Sequence, residues 1–134
     1  MYLIDTNICV FAVKHHENVI ARLKARSPDD FRISSVSIAE IWYGIEKSHH
    51  RAKNLEIWRN FLMPIQVADF DQKAAEAYGT IRRQLESAGK MIGDHDCMIA
   101  ATALVNHCTV ITNNTREFHR VAKLKVEDWT LVYK

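Results

Sequence analysis

Short, nearly continuous apolar runs alternate along the chain with longer stretches whose apolar residues recur at helical spacing. The first run, Tyr2-Leu3-Ile4, leads straight into Asp5-Thr6-Asn7, the pattern of a short buried strand ending in a polar turn. Residues 8–13 are apolar almost throughout and predict a short buried helix. Residues 17–26 predict an amphipathic surface helix, with Val19, Ile20 and Leu23 on one side. Ser27-Pro28-Asp29-Asp30 breaks the chain before a second strand over 31–34. Ile38, Ile41, Trp42 and Ile45 then stand at i, i+3, i+4 and i+7, a single apolar helical stripe, and Ser37 and Glu40 have capping-box spacing. A helix over 52–63 turns Leu55, Trp58 and Leu62 inward and stops at Pro64, after which residues 65–68 alternate as a strand should. Asp71 caps a long helix with Ala74, Ala75, Tyr78, Ile81 and Leu85 inward, and Gly89 ends it. A helix from about residue 95 to 106 is apolar nearly all round, so it is expected to be buried and to pack closely through its alanines. The β-branched run over 108–112 predicts a strand, Asn113-Asn114-Thr115 a turn, and 116–121 a short helix. Residues 130–133 read as a closing strand.

This alternation implies βαβ units and therefore a parallel sheet, of about five strands, inside a three-layer α/β/α sandwich. The length of 134 residues suits a single domain over 1–134, and its composition is that of an ordinary globular protein. A net charge of +2 permits an anionic partner without predicting one. Cys9, Cys97 and Cys108 form an odd set with no CxxC spacing, which argues against a disulfide framework or zinc ribbon and fits a reducing cytosol. The start of the chain lacks the pattern of a signal peptide, and the most apolar segment, 97–105, is too short to span a bilayer. A cytoplasmic protein with no membrane partner is expected. No Gly-rich phosphate loop occurs, so no nucleotide cofactor is suggested.

Four polar positions remain, all at βα junctions. Asp5 follows the first strand, and Glu40 lies early in the helix after the second. Asp96 opens the buried helix, and Asn114 follows the strand ending at Thr112. Such junctions of one parallel sheet open at the same edge, where ligands of open α/β sheets bind. Each residue also admits an ordinary role: Asp5 as a helix cap, Glu40 as the capping-box partner of Ser37, Asp96 as an N-cap in competition with Asp94, Asn114 as a turn residue. Glu40, however, points nearly opposite the apolar stripe of its helix. Three carboxylates in one crevice would raise one another's pKa unless a cation met them. A hard divalent ion answers that cost: Mg²⁺, with Mn²⁺ as a substitute, takes oxygen ligands, needs only one or two carboxylates, and keeps several waters. It would orient and activate water against a phosphodiester. His95, beside Asp96, is the one histidine near this edge and a candidate for contact with substrate. The stretch 115–125 carries Arg116, Arg120, Lys123 and Lys125 against Glu117 alone; it is either a phosphate-binding segment or a solvated face.

Five segments, in this order and spacing, make the chain resemble the PIN-domain ribonucleases, specifically the VapC toxins of bacterial type II toxin–antitoxin pairs. They are Leu3-Ile4-Asp5-Thr6-Asn7-Ile8; Ile33-Ser34-Ser35-Val36 with Glu40, Ile41 and Gly44; Ile92-Gly93-Asp94-His95-Asp96 with Ile99-Ala100-Ala101; residues 110–118 through Thr112-Asn113-Asn114-Thr115-Arg116-Glu117-Phe118; and Glu127-Asp128-Trp129. The resemblance implies a Mg²⁺-dependent endoribonuclease that cleaves structured RNA, such as transfer RNA, notably initiator transfer RNA, or ribosomal RNA, and so arrests translation. It implies an acidic triad of Asp5, Glu40 and Asp96, with Asp5 and Asp96 as metal ligands. Asn114 falls where many PIN domains carry a fourth acid, which puts a second tightly bound metal in doubt. Thr6, Asn7, Thr115 and Arg116 become candidates for substrate binding, and Arg82, Arg83 and Arg116 for contact with RNA or antitoxin. The implied partners are a VapB-like antitoxin that blocks the crevice and a second copy of the chain, in a homodimer and a larger toxin–antitoxin complex. Other readings fare worse. An aspartyl-phosphate phosphatase needs an Asp where Asn7 stands, and a receiver domain needs paired acids at the first strand end. A catalytically weak PIN-fold RNA-binding module is the alternative with most weight, and the three intact acids argue against it.

Overall fold

The first strand, β1 (Tyr2–Ile4), lies at the centre of a five-stranded sheet in which every pairing is parallel. The structure, a computed structural model, describes residues 1–132. After β1 come helices α1 (Thr6–Val13) and α2 (Glu17–Lys24), a 3-10 turn over Pro28–Asp30, and β2 (Phe31–Ser34). Helices α3 (Ser35–Glu46) and α4 (Arg51–Leu62) then lead to β3 (Gln66–Ala68). The long helix α5 (Gln72–Ser87) and the buried helix α6 (Asp94–Val105) precede β4 (Thr109–Ile111), α7 (Thr115–Phe118) and β5 (Val126–Glu127).

Alternating strand residues feed two cores. Leu3 and Val110 join Ile81, Leu85, Ile99, Ala100 and Ala103 of α5 and α6 on one face. Ile4, Ile33 and Ile111 join Ile8, Ala12, Val19, Ile41 and Ile45 of α1, α2 and α3 on the other. This is the three-layer α/β/α sandwich that the alternation of elements predicts, with the sheet inaccessible on both sides at its centre. Gly89, at φ +67°, closes α5 in a Schellman turn: the Lys90 N–H donates to Leu85 O at 2.9 Å and the Gly89 N–H to Glu86 O at 3.1 Å.

The strand order is β3-β2-β1-β4-β5, so the connections run one way from β1 to β2 and the other way to β4. A crevice therefore opens at the carboxyl ends of β1 and β4, the place such sheets use for ligands. Asp5 and Thr112 follow those two strands directly.

Several expectations need correction; Ala75 of α5, expected to face inward, is exposed. The closing strand is β5 at Val126–Glu127, not 130–133. Asp128 Oδ1 accepts hydrogen bonds from Thr130 N at 2.9 Å and Thr130 Oγ1 at 2.6 Å, which turns the chain before it can extend. Leu131 and Val132 are exposed, and Tyr133 lies outside the described residues. The cap of α3 is Ser34, whose Oγ accepts from Val36 N at 3.1 Å; Ser37 sits inside the helix, so Glu40 is not its capping-box partner. Trp42 is 40% exposed at the margin of the stripe that Ile41 and Ile45 bury.

Candidate active site

Asp5 ends β1 at 3% exposure and has both carboxylate oxygens engaged. Oδ1 accepts from the Thr6 N–H at 2.8 Å, so the cap of α1 is real, and Oδ2 accepts from the fully buried Thr112 hydroxyl, also at 2.8 Å. Each oxygen keeps a lone pair for another partner. Thr112 Oγ1 in turn accepts from the Asn114 N–H at 2.9 Å, which ties the β4–α7 turn to Asp5. Capping and site roles, alternatives in the sequence, coexist on one carboxylate.

Glu40 projects from α3 onto the first turn of α1, where its Oε1 is 2.6 Å from Thr6 Oγ1. Its Oε2 lies 3.4 Å from His95 Nδ1, and the His95 ring is largely exposed. At the start of α6, Gly93 occupies the cap position and makes no side-chain cap, so neither Asp94 nor Asp96 is an N-cap. Both sit in the first turn, where the helix dipole favours negative charge. The Asn114 amide bridges two acids: Nδ2 donates to Asp96 Oδ2 at 3.3 Å and to Glu117 Oε2 at 3.0 Å. Asp5, Glu40, Asp96 and Asn114, four separate candidates in the chain, thus meet at one edge.

The structure adds Glu117, which the sequence presents only as a counter-charge in a basic segment. The available signal is its spacing: it stands three residues after Asn114, on the same face of α7. Burial is the main cause that pushes the Asp96 carboxyl up to about 6, followed by the charges of Asp5 and Glu117, a hydrogen bond shared with Glu117, and the charge of Glu40. Burial also raises Asp5 above the ordinary carboxylate range, helped by Glu40 and opposed by the hydrogen bonds from Thr112 and Thr6. Behind Asp5, burial and then the Asp5 charge push the Cys9 thiol up, which leaves Cys9 a packing residue.

The donors that gather here are oxygens, the set a hard divalent cation takes. Among the described residues, no three Asp, Glu, His or Cys side chains close into a ready-made cage. Mg²⁺ suits such an arrangement, because it uses one or two carboxylates and keeps its waters. The raised carboxyls of Asp5 and Asp96 mark where positive charge is wanted.

The remaining candidates divide. Asn7 and Arg116 are exposed and Thr115 is half-buried, all at the same edge of the sheet, whereas the Thr6 hydroxyl is committed to Glu40. Arg82 is already engaged, with NH1 2.7 Å from Tyr78 Oη and 3.4 Å from Asp94 Oδ1, and Nε 3.6 Å from Glu86 Oε2. Arg83 reaches Glu86 at 4.0 Å.

The PIN domain family model matches residues 2–124. The chain is similar to the tRNA(fMet)-specific endonuclease VapC of Shigella flexneri, 39% identical over 129 residues that cover 96% of this chain and 98% of that one. It is similar to ribonuclease VapC2 of Rickettsia felis at 37% identity over 131 residues, with the same coverage of both. A solved structure of DNA-bound VapBC from Salmonella typhimurium contains a chain that matches with a TM-score of 0.90 and 36% identity, covering 96% of this chain and 97% of that one. The chain belongs to the PIN-domain family and, within it, to the VapC ribonucleases. The nuclease activity that the five segments imply stands on the same ground.

Thr112 provides a test that spares every carboxylate. Thr112→Val is isosteric, removes the donor to Asp5 Oδ2 and frees Asp5 to turn. Nuclease activity is expected to fall about 10–100-fold, the usual cost of losing a group that orients a ligand. Cleavage rates at saturating divalent cation check it, with circular dichroism as the control for folding.

Proposed function

We infer that the chain, as a single domain over 1–134, is the ribonuclease toxin of a VapBC-type toxin–antitoxin pair. In this reading it is a Mg²⁺-dependent endonuclease acting in the cytoplasm on structured RNA, with initiator transfer RNA the first candidate and ribosomal RNA the second, and it thereby inhibits translation. The observation that carries this reading is the set of Asp5, Glu40, Asp96 and Glu117 carboxylates at the β1–β4 switch point, where burial first and their mutual charges second hold Asp96 at about 6. The similarity to the tRNA(fMet)-specific endonuclease VapC of Shigella flexneri supports the transfer RNA candidate. Among the described residues, no helix is long and apolar enough to cross a membrane.

Asp5 and Asp96 would hold the cation. Bound there, Mg²⁺ supplies an activated water and neutralises charge on the phosphodiester. Glu40 accepts the proton of the attacking water, held for that task by Thr6. Asn114 donates to both Asp96 and Glu117 and so offsets part of their mutual repulsion. Asn7, Thr115 and Arg116 line the approach, and the exposed Arg116 offers a charge for a backbone phosphate. His95 sits where it can meet the substrate beside Glu40.

An apolar groove of about 330 Å³ runs from Thr6 and Glu40 along Val10, Val13, Ile57 and Trp58. It suits an apolar segment of a VapB-like antitoxin, which would end against the acids and block them; the VapBC assembly named for the Salmonella typhimurium structure supports this partner. The same reading includes a homodimer of this chain within the larger complex.

Incubation of the purified protein with initiator and elongator transfer RNA tests the proposal. Cleavage is expected with Mg²⁺, loss of cleavage with a chelator, and recovery on adding Mg²⁺ or Mn²⁺. Cleavage indifferent to chelation would remove the metal from the mechanism. Tight RNA binding with no cleavage under any condition would leave the RNA-binding module in its place.

A further inference from the structure

Ser37 is completely buried yet carries a hydroxyl, and it stands on α3 three residues before Glu40. Its Oγ is 2.8 Å from Thr6 Oγ1, across a sequence separation of 31 residues. The same Thr6 oxygen is 2.6 Å from Glu40 Oε1. A hydroxyl owns a single proton, and an ionised carboxylate can only accept. The Thr6 proton therefore goes to Glu40, and the Ser37 hydroxyl donates to Thr6. The result is a directed chain, Ser37 to Thr6 to Glu40, in which each bond polarises the next.

We propose that Ser37 is a positioning residue for catalysis: through the Thr6 hydroxyl it fixes the orientation in which the Glu40 carboxylate meets the attacking water. The geometry explains why a relay is needed. Glu40 is about one-third exposed at the crevice rim, and its other oxygen has only the 3.4 Å approach of an exposed His95 ring. A Glu side chain held at one oxygen by a free-rotating hydroxyl would sample several rotamers. The buried Ser37 removes that freedom by occupying the acceptor side of Thr6, so that the Thr6 proton has one direction left. The relay also crosses from α3 to α1, so it joins the helix bearing Glu40 to the helix that Asp5 caps. The catalytic half of this inference rests on the function proposed above; the hydrogen-bond relay itself does not.

The test has two readouts. In cleavage of the RNA that the unaltered protein cuts, Ser37→Ala is expected to lower kcat about 10-fold, the lower end for loss of an orienting partner, with KM unchanged. Ser37→Thr, which keeps the hydroxyl, restores kcat. In a Thr6→Val background, Ser37→Ala has no further effect, because the relay is already cut. A purely structural Ser37 would instead lose activity equally in both backgrounds, and that result overturns the proposal. The second readout needs neither metal nor substrate. In metal-free protein labelled with ¹³C at glutamate, the Glu40 carboxyl signal shifts in Ser37→Ala and returns in Ser37→Thr. An unmoved signal overturns the relay whatever the cleavage assay shows. Failure of the unaltered protein to cut any structured RNA overturns the functional reading instead, and with it the catalytic half of the proposal.

Discussion

Asp96→Asn is expected to fold, to bind RNA, and to cleave it slower by on the order of 10³-fold, the middle of the range for loss of a group acting on proton transfer or its metal. Asparagine preserves the shape and an oxygen able to face Asn114, so the loss reports charge. Asp5→Asn is expected to behave in the same way, since its carboxylate would face the other half of the proposed cation's charge. Retention of full metal-dependent cleavage by either variant would remove that residue from the mechanism. The same substitution has a second signature in the metal-free protein. The Asp96 carboxyl titrates at about 6 when folded, against an ordinary value of 3.8, so the folded state holds this proton more tightly than the unfolded chain does. Its contribution to stability is full below about 3.8 and is lost as pH rises through about 6. Asp5 is shifted in the same direction. Metal-free protein should therefore unfold at lower temperature at pH 7 than at pH 5, and Mg²⁺ should recover much of the difference. Asp96→Asn flattens this dependence, as thermal unfolding at a series of pH values would show.

Trp129→Ala is expected to cost about 3–5 kcal/mol, a large part of the total stability of a domain this size. Trp129 is fully buried beyond the last strand, with its ring centroid 5.1 Å from that of Tyr2 and 5.9 Å from that of Phe31. The Arg26 guanidinium lies over it at 4.7 Å, and its indole N–H donates to Glu127 Oε1 at 3.1 Å. It thus fastens the end of the described chain to β1, β2 and the segment just after α2. The melting temperature should fall by about 10–20 °C, read by differential scanning calorimetry, and Trp129→Phe should lose clearly less. A fall of only a few degrees for Trp129→Ala would mean that the segment after β5 adds little to the core. The effect would reach the site indirectly, because Tyr2 and Phe31 sit in the strands that present Asp5 and Ser34.

Much of the fold was legible because its signals are local. The β1 run of three apolar residues, the stripe of Ile38, Ile41 and Ile45, and the all-round apolar α6 each announce an element by period and burial alone. The last strand was not legible, since β5 is two residues long and lies between the polar Lys125 and Asp128; only its pairing with Val110 and Ile111 makes it a strand. Glu117 was hidden for a related reason. The charged residues nearest it in sequence, Arg116 and Arg120, are cationic, and its neighbours in space, Asn114 and Asp96, become visible only when α6 and α7 start at the same edge. The capping-box spacing of Ser37 and Glu40 pointed to a local bond, whereas both side chains turn to Thr6 on another helix.

For Asp5 the division is sharpest. Apolar periodicity and turn chemistry, which act over a few residues, are enough to place an acid after a buried strand and Glu40, Asp96 and Asn114 at further βα junctions. Three-dimensional packing brings β4 beside β1, lets Thr112 donate to Asp5 across 107 residues, and buries Asp96 in the crevice so that its carboxyl is lifted to about 6. Those outcomes depend on strand order, register and exclusion of water, which no short stretch of sequence encodes.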